Sequence, residues 1–318
     1  MEQNRIILDL CGADAGARTL ADGARQVLAK HRELSLLLVG DAAAKPYAAE
    51  LADAFGARAE FLLAQDVIAQ DASPERIVRG GEGSSMALAL RALLQREDAI
   101  GLLSAGNTGA LLVGTMFLLG LEKGLKVPAL ASAIPRLRGG DTVLVDCGAT
   151  LCPGTREYCS FARLGAAYAK RLDRTLVQPR VGLLSVGTEK TKGTPAIKEA
   201  YAALEEAAQS DGYCFCGTVE GNALCTGEVD VIVSDGYAGN VLLKSHEAAG
   251  LFAMELIGQA ELSPAQTAAL RETLGRRFEL NRRGGAAFLG TKKPVIKMHG
   301  CAEEITVLSC AEQLLRTK

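Results

Sequence analysis

The chain has 318 residues, of which 48% are hydrophobic and 23% charged, a balance typical of a soluble globular protein and not of a disordered, collagen-like or coiled-coil chain. Lys and Arg number 35 against 37 Asp and Glu, and aromatic residues make up only 4%, which argues against a nucleic-acid-binding surface. The nine Cys include no C-x-x-C pair, so we expect free thiols in a reducing cytoplasm and no zinc site.

Short apolar runs alternate with helical stretches along the whole chain. This alternation predicts an α/β fold, with a mostly parallel sheet covered by helices on both faces. Helical windows are predicted at 84–95, 155–171, 195–209 and 302–316. The predicted strands are, in chain order, 5–10, 35–39, 59–63, 99–103, 129–134, 142–145, 181–186, 213–217, 229–233 and 294–298.

Residues 99–121 carry no charge and are long enough to span a bilayer. The polar, Gly-rich segment 104–109 interrupts them, and such a break would leave backbone groups unsatisfied in lipid. We therefore predict a buried strand up to residue 103, a loop, and a buried helix at 108–120.

The stretch 245–283 is long, helical and without a strand pattern. Ser263 and Pro264 are typical of a helix cap followed by a first turn. The chain shows no repeat and no low-complexity linker. The sequence therefore predicts a single domain over 1–318, with a protruding helical excursion at about 245–283.

Several predicted strands end in Gly and small polar residues directly before a helix. The carboxyl ends of parallel strands share one edge of the sheet, and helix N-termini there favour anions, so we expect these loops to bind phosphate. The sequence has neither a dinucleotide G-x-G-x-x-G after its first strand nor a Walker lysine motif. The loops lie at 39–41, 104–109, 146–150, 185–188, 234–240 and 298–300.

Lys192 is the most informative single residue, because it lies between a strand and a helix and is followed by Gly193. A lysine there reaches a bound oxyanion, although a solvated loop lysine is an equal alternative. Asp235 and Asn240 flank a second Gly-rich turn. His299, at the end of the last strand, either donates to a ligand or caps a turn.

Six segments resemble the phosphate acyltransferase family of the PlsX type, and the resemblance covers nearly the whole chain. They are SAGNTGAL (104–111), GTEKTKG (187–193), VEG (219–221), GEVDVIVSDGYAGNVLLK (227–244), GGAAFLG (284–290) and VIKMHG (295–300). The resemblance implies a Rossmann-like α/β/α sandwich related to isopropylmalate and isocitrate dehydrogenases and to phosphotransacetylase. It also implies transfer of a fatty acyl group from acyl carrier protein to inorganic phosphate, giving acyl phosphate for phospholipid synthesis.

The same resemblance implies Lys192 and Asn240 as catalytic residues, and we add Asp235 as a group that orients its neighbours. No metal and no cofactor is expected. The expected partners are acyl carrier protein or a coenzyme A thioester, inorganic phosphate and a second subunit, in the cytoplasm or peripheral to the membrane. The predicted phosphate-binding residues are Ser104, Gly106, Asn107, Thr108, Gly109, Gly193, Gly236, Gly239 and His299.

The sequence departs from the family pattern between Thr150 and Glu157, where the family's Asn, Asp, Lys and His are replaced, and also at Thr194 and Thr218. Two alternatives therefore stay open. One is short-chain acyl transfer between coenzyme A or a protein thioester and phosphate. The other is a non-catalytic paralogue that binds an acyl group or phosphate.

Overall fold

The computed structural model describes residues 4–318, apart from the side chains of Arg276 and Leu280. The chain forms two compact units. Unit 1 contains the chain up to Pro128 and from Leu280 onward, and unit 2 contains Ala129–Glu279. The assignment of 1–318 to one domain stays a prediction. Of the helices in the described part of the chain, none is long and apolar enough to cross a membrane.

The secondary structure of the described residues follows the predicted alternation. The strands are β1 Asn4–Asp9, β2 Leu34–Gly40, β3 Ala59–Leu63, β4 Ala99–Ser104, β5 Ala129–Pro135, β6 Asp141–Val145, β7 Arg180–Leu184, β8 Cys214–Val219, β9 Val231–Val233, β10 Ala286–Leu289 and β11 Val295–Lys297. The helices are α1 Gly16–Lys30, α2 Lys45–Phe55, α3 Ser85–Gln95, α4 Thr108–Gly114, α5 Thr155–Leu172, α6 Pro195–Ala207, α7 Ala223–Thr226, α8 Gly236–Gln259, α9 Pro264–Phe278 and α10 Glu304–Thr317.

In unit 1 the strand order is β3-β2-β1-β4-β11-β10. All pairs are parallel except β10 with β11. Every residue of β2 is buried, as its uninterrupted apolar sequence predicts for a strand covered on both faces. The core on one face of this sheet is formed by α1, α2 and α10, which bury aliphatic side chains such as Leu20, Leu51 and Leu314.

In unit 2 the strand order is β5-β6-β9-β7-β8, and only β5 with β6 is antiparallel. Asp230 lies just before β9 and is buried, with its carboxylate bound by Arg136 at 2.8 Å and Arg180 at 3.0 Å. The two guanidinium groups lower the pKa of Asp230 against the effect of burial. This ionic cluster ties β5, β7 and β9 together at the end opposite the Gly-rich loops.

The predicted fold class is confirmed, and each of the ten predicted strands is present. The sequence analysis missed β10, because a four-residue apolar run between glycines is as typical of a loop as of a strand. The helix predicted at 108–120 is divided into α4 and a π-helical turn, Thr115–Leu119. The helical excursion is also present, and Ser263 caps α9 as predicted. The first helix of the excursion, α8, begins at Gly236, within the Gly-rich loop 234–240.

Candidate active site

In unit 1, the loops that follow β1, β4 and β11 lie side by side, because these strands are adjacent and parallel. Gly12 has a φ of +87°, and a Cβ there would lie 2.5 Å from Cα of Gly106. The N–H of Met298 donates to the carbonyl of Ser104 at 2.9 Å. The register therefore brings His299 beside the loop 104–109, and its role as a ligand stays a prediction.

The buried carboxyl group of Asp9 holds the start of the loop 104–109 by a hydrogen bond. Oγ of Ser104 donates to Oδ2 of Asp9 at 2.9 Å, and the backbone N–H of Cys11 donates to Oδ1 at 3.1 Å. Asp9 is only 1% exposed, and burial raises its pKa to about 6. Nζ of the buried Lys297 donates to the carbonyls of Ala105, at 3.2 Å, and Met298, so a positive charge lies in the same network.

The side chain of Asn107 has a structural role, and its assignment to phosphate through the backbone N–H stays a prediction. Its Oδ1 accepts from the N–H of Ala110 at 2.9 Å and so caps α4. Its Nδ2 donates to the carbonyls of Ala69, Gln70 and Ala72 at 3.2, 2.9 and 3.1 Å. An amide with both ends occupied in this way fixes the loop and leaves anion contacts to the backbone.

The glycines of the loop 104–109 allow neighbouring side chains to pack closely against its backbone. A Cβ on Gly106 would overlap the side chain of Met86, and one on Gly109 would lie 2.7 Å from Cγ of Pro74. The N–H of Gly106 donates to Oγ of Ser104 at 3.2 Å. The N–H groups of Thr108 and Gly109 lie in the first turn of α4, where no intrahelical acceptor exists.

In unit 2, Asp146 organises the loop after β6. Its carboxylate accepts backbone N–H groups of Leu130 at 2.9 Å, Ala149 at 3.1 Å and Thr150 at 2.6 Å. The side chain is fully buried, and burial raises its pKa although these donors oppose the shift. The loop is thereby held in one conformation at the carboxyl edge of unit 2.

Helix α8 begins in direct contact with this loop. The N–H of Gly236 donates to the carbonyl of Thr150 at 2.8 Å, and a Cβ on Gly236 would lie 2.8 Å from the same oxygen. A Cβ on Gly239 would overlap the carbonyl oxygen of Asp146. These two glycines are therefore required for packing, whatever else they contact.

Asp235 and Asn240, at the start of α8, differ in how much of their hydrogen-bonding capacity the protein uses. Oδ1 of Asp235 accepts from the N–H of Ala238 at 2.8 Å and caps the helix. Asn240 is exposed, and its Oδ1 is near Gly148, 3.8 Å from where a Cβ of that residue would lie. Asp235 is thus engaged as the cap of α8, whereas Asn240 is accessible, and the roles assigned to both stay predictions.

Lys192 lies in the loop between β7 and α6, where Gly193 adopts a φ of +93°. Its ammonium group is 2.9 Å from the carboxylate of Glu189, and its side chain is 49% exposed. Thr194 caps α6 by accepting from the N–H of Ile197 at 3.3 Å. Lys192 is therefore accessible, with one weak, solvent-screened ionic partner.

Sequence reasoning missed three residues that shape these loops, namely Asp146, Glu189 and Lys297. The sequence could have indicated Glu189 as a partner of Lys192, because it precedes that residue by three positions in the same loop. For Lys297 the available signal was a lone charge inside an apolar strand. Asp146 carried no comparable signal, because its partners depend on how the loop folds back.

Comparisons with known proteins agree with this architecture. A family model described as "Fatty acid synthesis protein" matches residues 4–315. The phosphate acyltransferase of Erythrobacter litoralis (strain HTCC2594) is 36% identical, over 96% of this chain and 88% of its own length. The phosphate acyltransferase of Streptococcus pneumoniae (strain ATCC 700669 / Spain 23F-1) is also 36% identical, over 98% of this chain and 94% of its own.

Solved structures show the same fold at low sequence identity. A phosphotransacetylase from Streptococcus pyogenes is 16% identical, with a TM-score of 0.63 over 98% of this chain and 93% of its own. A branched-chain phosphotransacylase from Enterococcus faecalis V583 is 14% identical, with a TM-score of 0.62 over 98% of each chain. With the family model and the curated relatives spanning nearly all of it, the chain belongs to the phosphate acyltransferase family and is an acyltransferase.

Proposed function

We propose that this protein transfers a fatty acyl group from acyl carrier protein to inorganic phosphate, giving acyl phosphate for phospholipid synthesis. The observation that carries the proposal is that this family member has an accessible Lys192 and an exposed Asn240 on loops otherwise fixed by internal contacts. Phosphate is itself a nucleophile, so the protein has mainly to hold an anion beside a carbonyl and stabilise the developing oxyanion.

The reaction balances without a cofactor. An oxygen of hydrogen phosphate attacks the thioester carbonyl carbon, the carbon–sulfur bond breaks, and the phosphate proton ends on the released thiol. In unit 1, we assign anion binding to backbone N–H groups of the loop 106–109, chiefly those of Thr108 and Gly109, because the N–H of Gly106 is bound by Ser104. In unit 2, we assign neutralisation of phosphate or of the oxyanion to the ammonium of Lys192, and a hydrogen bond to the carbonyl oxygen to the amide of Asn240.

The segment that departs from the family pattern is built into the fold. The N–H of Thr150 is bound by Asp146, and the N–H of Gly154 donates to Glu157 at 3.0 Å at the start of α5. The replaced residues thus satisfy local hydrogen bonds, and this supports a retained loop with altered polar groups. Acyl chain length and carrier are the properties that such replacements change first.

A thioester-consumption assay with phosphate tests the function, using acyl groups of several lengths on both acyl carrier protein and coenzyme A. We expect phosphate-dependent release of thiol and formation of acyl phosphate, fastest with long chains on the carrier protein. Preference for short chains on coenzyme A would support the phosphotransacetylase-like alternative. Absence of turnover with all donors, together with retained acyl or phosphate binding, would support a non-catalytic paralogue.

We further propose that α8 provides a contact surface for a second copy of the chain. Leu251, Phe252 and Leu256 are 70%, 67% and 49% exposed, more apolar surface than one solvated helix face normally carries. Met254 and Ile257 on the same helix are partly buried. A homodimer that buries this surface is the occupant we favour over a carrier protein or a membrane surface.

The next helix, α9, carries two adjacent arginines near its end. Arg277 donates to the carbonyl of Arg136 and so has a structural contact, and the side chain of Arg276 lies outside the described residues.

The variant Leu251→Ser/Phe252→Ser tests the surface, with Val177→Ser, 86% exposed elsewhere in unit 2, as the matched control. We expect the double variant alone to become monomeric in sedimentation, with an unchanged melting temperature. A monomeric wild-type protein would contradict the dimer, and loss of binding to anionic vesicles or carrier protein would identify the occupant instead.

A further inference from the structure

Two cysteines lie close together on the outer strand of unit 2, away from the loops described above. Strand β8 carries the sequence Cys214-Phe215-Cys216, and both thiols are exposed. Alternate residues of a strand share a face. Phe215, on the opposite face, contacts the ring of Tyr201 on α6 edge to face, with centroids 5.0 Å apart.

A bulge in β8 lies at Cys216 and Gly217. Val181 of β7 pairs with Phe215, but Leu183 pairs with Thr218, so Cys216 and Gly217 both stand opposite the single residue Gly182. Gly217 has a φ of +85°, which suits the bulge. Sγ of Cys216 donates to the carbonyl of Cys214 at 3.7 Å, so its sulfur lies against the residue that carries the other thiol.

Arg180 places a positive charge beside the two thiols, and Asp230 compensates it. The guanidinium of Arg180, at the start of β7, interacts with both thiols and opposes the effect of burial, which raises the pKa of Cys216. Asp230 binds Arg180 at 3.0 Å and adds a negative charge behind it. A ligand that takes the two sulfurs as thiolates must therefore displace their protons.

We propose that Cys214 and Cys216 chelate one soft divalent cation of the zinc group, such as Zn²⁺ or Cd²⁺. Two metal–sulfur bonds of about 2.3 Å at a tetrahedral angle hold their sulfurs about 3.8 Å apart. Two exposed side chains on one face of a strand reach such a spacing by rotation about their side-chain bonds, so chelation needs little movement of the strand. The cation binds both sulfurs as two thiol protons leave to solvent. Exposed thiolates are preferred ligands for such ions.

The site has two protein ligands and is open to solvent. Within the described part of the chain, no group of three or more His, Cys, Asp and Glu is arranged to hold a metal ion. Water or an exogenous ligand therefore completes the coordination, and binding is weaker than at a closed structural zinc site. The proposal is independent of the acyl transfer reaction.

Titration of the reduced, full-length protein with Cd²⁺ tests the site. We expect one ion per chain by native mass spectrometry, an ultraviolet thiolate-to-cadmium band, and release of two protons per ion at neutral pH. Cys214→Ser and Cys216→Ser should each weaken binding by about tenfold or more. Cys152→Ser/Cys301→Ser, which removes two exposed thiols elsewhere, is the matched control and should bind as the wild type does.

Each outcome bears on the proposal. Wild-type affinity in either single variant, or loss of binding in the control, would overturn it. An ion that bridges two chains, seen as a dimer held by Cd²⁺, would also overturn it. Melting temperatures of all variants, measured without metal, verify that the exposed serine replacements leave the fold intact.

Discussion

The ammonium group of Lys192 lies 2.9 Å from the carboxylate of Glu189, three residues earlier in the loop between β7 and α6. The ammonium holds the pKa of Glu189 below its usual range. Both side chains are largely exposed, so the pair is screened and exchanges readily with solvent or with a bound anion. The carboxylate therefore acts as an internal competitor for the phosphate that we assign to Lys192.

Lys192→Ala should lower the rate of acyl phosphate formation by about 10²–10³-fold, because one charge contact to a developing oxyanion is lost. Lys190→Ala is the matched control, since Lys190 is exposed in the same loop but pairs with Glu205 at 3.1 Å. Steady-state kinetics and melting temperatures of both variants check the prediction. Near wild-type turnover by Lys192→Ala would remove its catalytic assignment.

Glu189→Gln should favour the reaction, in contrast to Lys192→Ala. Removing the competing carboxylate lowers KM for phosphate at low ionic strength, and the difference from the wild type should shrink as salt is added. Phosphate titrations at two ionic strengths measure it. A higher KM in this variant would mean that Glu189 positions Lys192 for catalysis.

Asp9 should make the stability of unit 1 depend on pH. Its pKa is about 6 in the folded protein against 3.8 for an exposed aspartate, so the folded state holds the proton more tightly. Stability is therefore greatest below the unfolded pKa and falls as pH rises through the window from about 4 to 6. The loss is about 3 kcal/mol at neutral pH.

Asp9→Asn keeps an acceptor for the Ser104 hydroxyl and removes the titration. Urea unfolding of wild type and variant between pH 4 and pH 7 should show the two free energies of unfolding diverging in favour of the variant as pH rises. Parallel curves over that range would show that Asp9 titrates alike in both states.

Gly239→Ala should destabilise the protein by about 1–3 kcal/mol or more, because the new methyl group overlaps the carbonyl oxygen of Asp146. Gly258→Ala, in the same helix, is the matched control. Its methyl would meet only the flexible end of Arg271, at 2.9 Å, and should stabilise the helix by about 0.5–1 kcal/mol. Equal melting temperatures for the two variants would contradict the close approach.

Asn107→Ala should cost about 2–4 kcal/mol, because it removes the cap of α4 and leaves three carbonyls without their donor. Ser84→Ala, which removes the cap of α3 and one donor to the carbonyl of Gly81, should cost about 1–2 kcal/mol. Phosphate should raise the melting temperature of wild type more than that of Asn107→Ala. In a phosphate-soaked crystal, anion density away from 104–109 would contradict the backbone site.

The sequence by itself determined the alternation of strands and helices, the burial of the apolar strands, and the positions of the Gly-rich loops. It also determined the cap of α9 at Ser263. These features depend on short-range periodicity and on local backbone chemistry, which residues close in sequence specify among themselves. The catalytic expectations for Lys192 and Asn240 came from motif resemblance, and they stay predictions.

Only the tertiary structure decided which polar side chains already make their hydrogen bonds within the fold. Asn107 is engaged by carbonyls 35 to 38 residues away, and Asp146 by an N–H from the neighbouring strand as well as by its own loop. Asn240, in contrast, keeps an exposed amide. A side chain binds a ligand with those of its hydrogen-bonding groups that have no partner in the fold. Contacts between residues distant in sequence determine which groups those are.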